Sequence, residues 1–288
     1  MSHFEAVLLG LVQGIFMFVP VSSTAHLVIV QHFLIARGSD MPPPDSPAMI
    51  LFDLVVHVGT LVSIAIVFRK SLSALIRATL RETGALLAPQ GGGRALGPFS
   101  RLMLMGVITV GVTGVLGLLL KRSFETVFGA PWILVFTLST TAALLYLTDR
   151  LGKRPLGVKD IGPRMAVIIG IAQALALAPG ISRSGIAIIA GLFAGLKRRW
   201  AAEYSFLVAI PTILAASLVQ AVEVRGVGGI AEVGAGPMAV GFVVAAISGT
   251  VALRLVLALL YRAQLKVFSV YLIALAALIG FGVLDGML

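Results

Sequence analysis

Residues 13–26 read QGIFMFVPVSSTAH, an apolar helix-like run that stops at Pro20 and is followed by three hydroxyl residues and His26. The chain around this stretch is strongly apolar, since 59% of its 288 residues are hydrophobic and 12% are charged. This composition differs from that of soluble domains and indicates an integral membrane protein with a single membrane domain, 1–288. The polar residues after Pro20 therefore indicate a polar pocket inside the protein rather than a surface that faces lipid.

Six uninterrupted apolar segments have the length of membrane-spanning helices. They are 48–68, 102–120, 132–148, 205–222, 237–260 and 267–285. Two further apolar segments, 4–36 and 165–196, are interrupted, the second at PGISRSG, residues 179–185. Proline and glycine end helices, and open backbone groups at membrane depth need protein or water around them. We therefore predict an all-α polytopic membrane protein with six spanning helices and two re-entrant helical hairpins.

The two hairpins resemble each other in sequence. Gly10-Leu11-Val12-Gln13 leads to Pro20 and its serines, and Gly170-Ile171-Ala172-Gln173 leads to Pro179 and its serines. This similarity indicates an internal duplication with halves of about 1–148 and 149–288. Because each half holds a hairpin and three spans, the second half must insert upside down, which predicts an inverted-topology repeat.

Loop charge predicts the orientation in the membrane. The predicted loops on one side carry sixteen Lys and Arg residues and those on the other side carry four, so the basic side is predicted to be cytoplasmic and the N-terminus outside. The basic loops are 69–101, 149–164, 197–204 and 261–266, and the opposite loops are 37–47, 121–131 and 223–236. The net charge of +10 does not indicate nucleic-acid binding, because the basic residues lie in short loops and form no basic helix. The chain has no cysteine, which excludes disulfides and thiolate metal sites.

If the hairpins enter from opposite faces, their tips meet near the middle of the membrane. Hydroxyls, backbone N–H groups at helix starts and a guanidinium together suit a phosphate, which arginine binds bidentately. The predicted ligands of that phosphate are Ser22, Thr24, Ser182, Ser184 and Gly185, beside His26, Ser23 and Arg183. For a single serine, helix capping is the simpler interpretation, but an arginine between apolar helices needs a counter-charge.

A phosphate site inside a membrane indicates a lipid phosphate or a phosphate in transit. His26 is a candidate proton donor or nucleophile, Ser23 is the other candidate nucleophile, and Arg183 would stabilise charge on the phosphoryl oxygens. Asp53 and His57 share a helix face, and two ligands make an incomplete metal shell, so we interpret them as a structural or gating pair.

Four stretches resemble the undecaprenyl-diphosphate phosphatase family, also called bacitracin-resistance proteins, over nearly the whole chain. They are GLVQGIFMFVPVSSTAHL, LFDLVVHVGTLVSIAIVFRK, ALAPGISRSG and AAEYSFLVAIPTILAAS. The resemblance implies a bacterial inner-membrane enzyme that removes one phosphate from a polyprenyl (C55) diphosphate lipid and returns the carrier to peptidoglycan synthesis. It also implies the fold predicted above, with six spanning helices and two re-entrant hairpins. The residues that match the family's two site motifs are the candidate phosphate ligands and catalytic residues already named. A homodimer is among the expectations.

The chain departs from the family pattern on the helix before SST. Where the family carries Glu or Gln, then three residues, then Glu, this chain has Gln13 and Met17. The family implies a divalent cation, Mg²⁺ or Ca²⁺, which a carboxylate pair would hold, but a thioether is a soft ligand. Gln13 and Asp53 are the candidate metal or polar support, and the metal itself is unknown. The alternative to hydrolysis is a polyprenyl-phosphate binding protein or flippase on the same scaffold.

Overall fold

The structure is a computed structural model that describes residues 1–87, 96–127, 131–178, 180–223 and 232–282. Within these ranges the chain forms eleven α-helices and one short 3₁₀ turn at Val158–Asp160, with no β-strand. The helices are α1 (His3–Phe16), α2 (Ser23–Ala36), α3 (Pro47–Val67), α4 (Arg69–Leu87), α5 (Pro98–Val127), α6 (Pro131–Arg150), α7 (Pro163–Leu175), α8 (Arg183–Phe193), α9 (Arg198–Glu223), α10 (Ala235–Tyr261) and α11 (Lys266–Gly280). The all-helical prediction is confirmed.

Both apolar segments predicted to be interrupted are interrupted. The first separates into α1 and α2, of 14 residues each, and the second into α7 and α8, of 13 and 11 residues. None of these four helices reaches the roughly 20 residues that cross a bilayer. Their insertion as re-entrant hairpins stays a prediction, and Pro179 lies outside the described residues.

Five helices are long and apolar enough to cross a membrane: α3, α5 over Pro98–Leu120, α6 over Trp132–Arg150, α9 over Arg198–Val222, and α10. They correspond to five of the six predicted spans, so the chain is a multi-pass membrane protein. The sixth prediction, 267–285, coincides with α11, which has 15 residues. Residues 283–285 of that prediction lie outside the described ranges.

The interpretation of 69–101 as a loop was wrong over most of its described length, because α4 occupies Arg69–Leu87. This helix was missed because its arginines and lysine keep it far less apolar than a span. It presents Arg77 and Arg81 beside the exposed side chains of Ile76 and Leu80. A helix with mixed basic and apolar exposure, directly after a span, is typical of the membrane interface.

Each hairpin packs its first helix against a span from the other predicted half: α1 lies on α10, and α7 lies on α5. Glycines make this close contact possible at equivalent positions. A Cβ on Gly10 would lie 2.8 Å from the Gly241 carbonyl oxygen, and a Cβ on Gly170 would lie 2.8 Å from the Thr109 carbonyl oxygen. The reciprocal packing fits halves of 1–148 and 149–288, although the duplication itself stays a prediction.

The two hairpin tips meet in the core. Phe18 and Val21, in the break between α1 and α2, are fully buried in a cluster that includes Ile188 of α8 and Phe206 of α9. A Cβ on Gly185 would lie 2.9 Å from the Cβ of Pro20, so the glycine is what allows the second tip to approach the first. The packing therefore places the two polar breaks side by side.

Candidate active site at the hairpin tips

The first tip, Pro20–His26, is held in a strained conformation. Ser22 has φ = +68°, a left-handed conformation that costs a non-glycine residue about 1–3 kcal/mol. The α2 helix that starts after it at Ser23 has no side-chain cap. Ser22 is buried, Ser23 is half-buried and Thr24 is exposed. The free N–H groups at this helix start favour an anion.

His26 is fixed from three sides. Its Nδ1 lies 2.8 Å from the Ser22 carbonyl oxygen, so Nδ1 carries the proton and donates it there. Its Nε2 lies 2.5 Å from the Tyr271 hydroxyl oxygen, and its ring stacks on Phe16 with 4.1 Å between the ring centroids. In the neutral ring Nε2 is then the acceptor, and the Tyr271 hydroxyl is its donor. Both ring nitrogens of His26 therefore have partners.

Sequence reasoning missed Tyr271, which lies on α11, 245 residues from His26. No spacing links the two positions, and a tyrosine in an apolar helix gives no signal of a polar contact at the other end of the chain.

The second tip, Gly180–Gly185, is built without such strain. Gly180 has φ = +84°, a conformation that glycine adopts freely. Ser182 is the N-cap of α8, and its Oγ accepts a hydrogen bond of 3.3 Å from the backbone N–H of Gly185. The Oγ atoms of Ser182 and Ser184 lie 3.3 Å apart. The serines of this tip are thus engaged in local capping, as the simpler interpretation expects.

Arg183 is the first residue of α8. Among the described residues its guanidinium forms no ion pair and no hydrogen bond; the ion pairs of that part of the chain involve Arg198 and Arg199. A guanidinium without a counter-charge in an apolar core is costly unless an anion binds it. The carboxylate of Asp53 forms no ion pair with it in the described structure, and its Oδ1 instead accepts a hydrogen bond of 3.1 Å from Gln31 Nε2.

Arg183 lines a small cavity together with residues from the turn that follows α1 and from α3, α7 and α9. The residues around it are Met17, Phe18, Ile64, Gln173, Arg183, Ser184, Ser205, Phe206 and Ala209. Ser205 Oγ is buried and has no hydrogen-bond partner among the described residues. Ser205 was not singled out from the sequence, because nothing in its spacing separates it from the apolar helix around it.

The structure brings together only part of the predicted set. Arg183 and Ser184 line the cavity, and the tips that carry them and His26 touch through Pro20 and Gly185. Ser22, Ser23, Thr24 and His26 belong to the adjacent tip but are not part of this lining. The proposal that one phosphate contacts both His26 and Arg183 therefore stays a prediction.

Gln13 and Met17 occupy the positions where the family pattern has its acidic pair. Gln13 Nε2 lies 3.6 Å from Met17 Sδ, and Gln13 Oε1 is buried without a partner. A thioether and one amide oxygen do not suit Mg²⁺ or Ca²⁺, which take several hard oxygen ligands. No group of three or more His, Asp or Glu among the described residues would hold a metal ion. The residues present do not fit the implied cation.

Asp53 and His57 face the same side of α3 but do not pair through their side chains. The Nδ1–H of His57 donates a hydrogen bond of 2.7 Å to the backbone carbonyl oxygen of Asp53. Arg183 is close enough to act on His57 electrostatically. The i, i+4 spacing thus lets the Asp53 backbone orient the His57 imidazole, while the Asp53 carboxylate binds Gln31.

The fold and this site define a class: a multi-pass helical membrane protein with two interrupted helical segments and, at the start of the helix after the second break, an arginine without a partner among the described residues. The model of the family described as Bacitracin resistance protein BacA matches residues 6–278, and the chain belongs to that family.

Curated relatives extend the match to the full chain. An undecaprenyl-diphosphatase of Halorhodospira halophila is 55% identical over 287 residues, which cover 99% of both chains. One from Alkalilimnicola ehrlichii is 55% identical over 99% of this chain and 98% of its own. One from Rubrobacter xylanophilus is 38% identical over 96% of each chain. The resemblance predicted from the four sequence stretches is confirmed.

Proposed function

We propose that this protein is an undecaprenyl-diphosphatase, a membrane hydrolase that removes the terminal phosphate of a polyprenyl (C55) diphosphate and leaves the monophosphate. The observation that carries the proposal is Arg183, a guanidinium without a protein partner among the described residues, in a cavity beside the second hairpin tip. The diphosphatase name of relatives that are 55% identical over the full chain supports the same reaction.

Arg183 binds the terminal phosphate and stabilises the charge that develops on its oxygens during the reaction. The capped start of α8, with Ser184, supplies further donors to the same oxygens. The start of α2, with Ser22 and Thr24, approaches from the other tip. None of these groups needs to move a proton, so their role is to bind and orient the phosphate.

Ser23 is the nucleophile. His26 is less suited, because Nδ1 donates to Ser22 and Nε2 accepts from Tyr271. The Ser23 oxygen forms a bond to the terminal phosphorus as the bond from that phosphorus to the bridging oxygen breaks and the polyprenyl monophosphate leaves. Water then attacks the phosphoserine, the Ser23 oxygen is released, and inorganic phosphate is formed. His26 holds the tip that presents Ser23.

The protein lies in the bacterial inner membrane with its N-terminus outside, and the lipid diphosphate enters from that side. The asymmetry of sixteen against four basic residues supports this orientation. Because the native chain has no cysteine, single Ser39→Cys and Lys153→Cys variants report one side each. In intact cells a membrane-impermeant maleimide should label the first and spare the second. The reverse pattern would contradict the orientation.

The activity is tested by phosphate release from a polyprenyl diphosphate by the purified protein in detergent, with added Mg²⁺, added Ca²⁺ or EDTA. We expect release that depends on protein concentration and that EDTA reduces far less than it would at a site built from carboxylates. If no phosphate appears under any condition, while vesicles containing the protein move polyprenyl phosphate between leaflets, the flippase alternative replaces the proposal. A strict requirement for added cation would contradict our interpretation of Gln13 and Met17.

A further inference from the structure

Cleavage by Ser23 needs a group that accepts the hydroxyl proton, and the cavity lining provides no carboxylate. Its polar members are Gln173, Arg183, Ser184 and Ser205. The family position that carries an acid is Met17, which lines this cavity but cannot accept a proton. Its neighbour Gln13 uses its amide donor on the Met17 sulfur. The proton acceptor must come from another element.

His57 on α3 has what Met17 lacks, a nitrogen lone pair that can accept a proton. Its Nδ1–H donates to the Asp53 carbonyl oxygen at 2.7 Å, which leaves the lone pair on Nε2. No described residue forms a hydrogen bond with that Nε2, and the side chain is half-buried rather than sealed in the core. His26 offers no such lone pair, because the Tyr271 hydroxyl occupies its Nε2.

Two neighbouring residues, Asp53 and Arg183, indicate where the His57 side chain lies. Asp53, one helical turn earlier on the same face, accepts a hydrogen bond from Gln31 and so points that face of α3 toward α2, the helix that begins with Ser23. From the other side, Arg183 at the start of α8 acts on His57 electrostatically. The ionisable residues that act on His57 are thus Asp53, through its backbone carbonyl, and Arg183, through its charge. His57 therefore lies on the face of α3 that Asp53 turns toward α2.

We propose that His57 is the general base of the reaction and takes the role of the acid that Met17 replaces. This rests on the proposed hydrolysis. Nε2 accepts the Ser23 hydroxyl proton as the Oγ–P bond forms and the bond to the bridging oxygen breaks. The imidazolium then returns the proton to the departing polyprenyl monophosphate, and His57 next takes a proton from the water that attacks the phosphoserine. The first proton goes to the polyprenyl monophosphate and the second goes to the released Ser23 oxygen, which restores the serine hydroxyl, so the two steps balance with water as the only co-substrate.

The test measures kcat and KM for phosphate release by native protein and by the His57→Gln, Met17→Glu and double variants. His57→Gln should lower kcat by about 10²-fold, the usual size of a general-base effect, while KM changes little. The factor by which Met17→Glu raises kcat should be at least about tenfold larger in the His57→Gln protein than in the native protein. The reason is that position 17 and His57 supply the same function. The double variant should also keep its activity to lower pH than the native protein, since a carboxylate replaces an imidazole.

His32→Gln is the matched control, because this histidine of α2 has no hydrogen bond or ion pair among the described residues, and the variant should keep native turnover. Gel filtration and binding of a polyprenyl diphosphate, which need no proton transfer, report whether each variant is folded. A folded His57→Gln protein with kcat within threefold of native would overturn the inference and leave the proposed function intact. So would a gain from Met17→Glu that is equal in both backgrounds. If the native protein releases no phosphate at all, it is the proposed function that fails.

Discussion

The two hairpin tips occupy equivalent positions at the centre of the molecule, yet they reach their conformations in opposite ways. At Gly180–Gly185 a glycine supplies the left-handed turn and Ser182 caps the helix that follows. At Pro20–His26 a serine takes the left-handed conformation, α2 has no side-chain cap, and the tip depends on His26, which bridges Ser22 and Tyr271. The second tip is capped by its own residues, whereas the first also depends on a long-range contact with Tyr271.

The difference separates the roles of the tips. A tip stabilised by its own residues can carry a charge that lacks a protein partner, and Arg183 is there. A tip that is strained and held from outside keeps its helix N–H groups and hydroxyls free, and Ser23 and Thr24 are there. Strain of this kind persists only where the surrounding structure enforces it, and it is concentrated at functional sites. The first tip is thus suited to chemistry and the second to binding.

The largest effect is expected at Arg183. Arg183→Ala should lower kcat for phosphate release by about 10³-fold, because it removes the group that stabilises the developing charge. Arg183→Lys should recover only part of this loss, since it keeps the charge but not the bidentate geometry. The control is Arg254→Ala, an exposed arginine of the spanning helix α10, which should keep native activity. Equal losses in Arg183→Ala and Arg254→Ala would contradict a specific role for the tip.

The fold was largely predictable from sequence, and the site was predictable in part. Hydropathy located the helices, and proline and glycine located the breaks, because both signals are local. Arg183 was found because a charge in apolar sequence needs an explanation. Tyr271 and Ser205 were not found, since their importance depends on contacts between distant segments. The helix α4 was missed because its stability at an interface does not require the apolar length of a span.

Gly180→Ala should destabilise the second tip. The left-handed φ of +84° strains any residue with a Cβ, and that Cβ would overlap Thr137 Oγ1 and lie 2.8 Å from Leu134 Cδ1. We expect a loss of about 2–3 kcal/mol, seen as a melting temperature about 5–10 °C lower in detergent. Gly84→Ala on α4 meets no atom within 4 Å and should be neutral or slightly stabilising. An unchanged melting temperature for Gly180→Ala would show that the second tip does not depend on its glycine.

Tyr271→Phe should loosen the first tip without changing its own residues. It removes the hydroxyl that holds His26 Nε2, a single hydrogen bond worth about 1 kcal/mol. We expect kcat for phosphate release to fall about fivefold while KM changes little, because Arg183 still binds the phosphate. The control is Tyr146→Phe on α6, whose hydroxyl contacts Arg150 away from the tips. A change in KM alone would show that Tyr271 contributes to binding the lipid instead.

Ser22→Gly should raise the stability of the protein, whereas Gly180→Ala should lower it. Glycine relieves the left-handed strain, so the melting temperature should rise by about 2–4 °C, equivalent to about 1 kcal/mol. Ser22→Ala removes the same hydroxyl and keeps the strain, which makes it the matched comparison. If both variants lower the melting temperature equally, the hydroxyl and not the backbone conformation determines the stability of the tip.

The smallest effect is expected outside the tips, at Glu82 on α4. The change in melting temperature there shows how much a purely structural helix cap contributes. Slight desolvation acts to raise the pKa of Glu82, but hydrogen bonds from the backbone N–H groups of Ser100 and Phe99, at the start of α5, lower it below the ordinary 4.5. Because the pKa is lower in the folded state, this contact stabilises the protein above about pH 4.5, and the contribution is lost as the pH falls below that value. Glu82→Gln should therefore lower the melting temperature slightly at pH 7 and flatten its decline in acid, with kcat unchanged. A change in kcat as large as that of Tyr271→Phe would mean that the start of α5 is coupled to the site, and that the tips do not act alone.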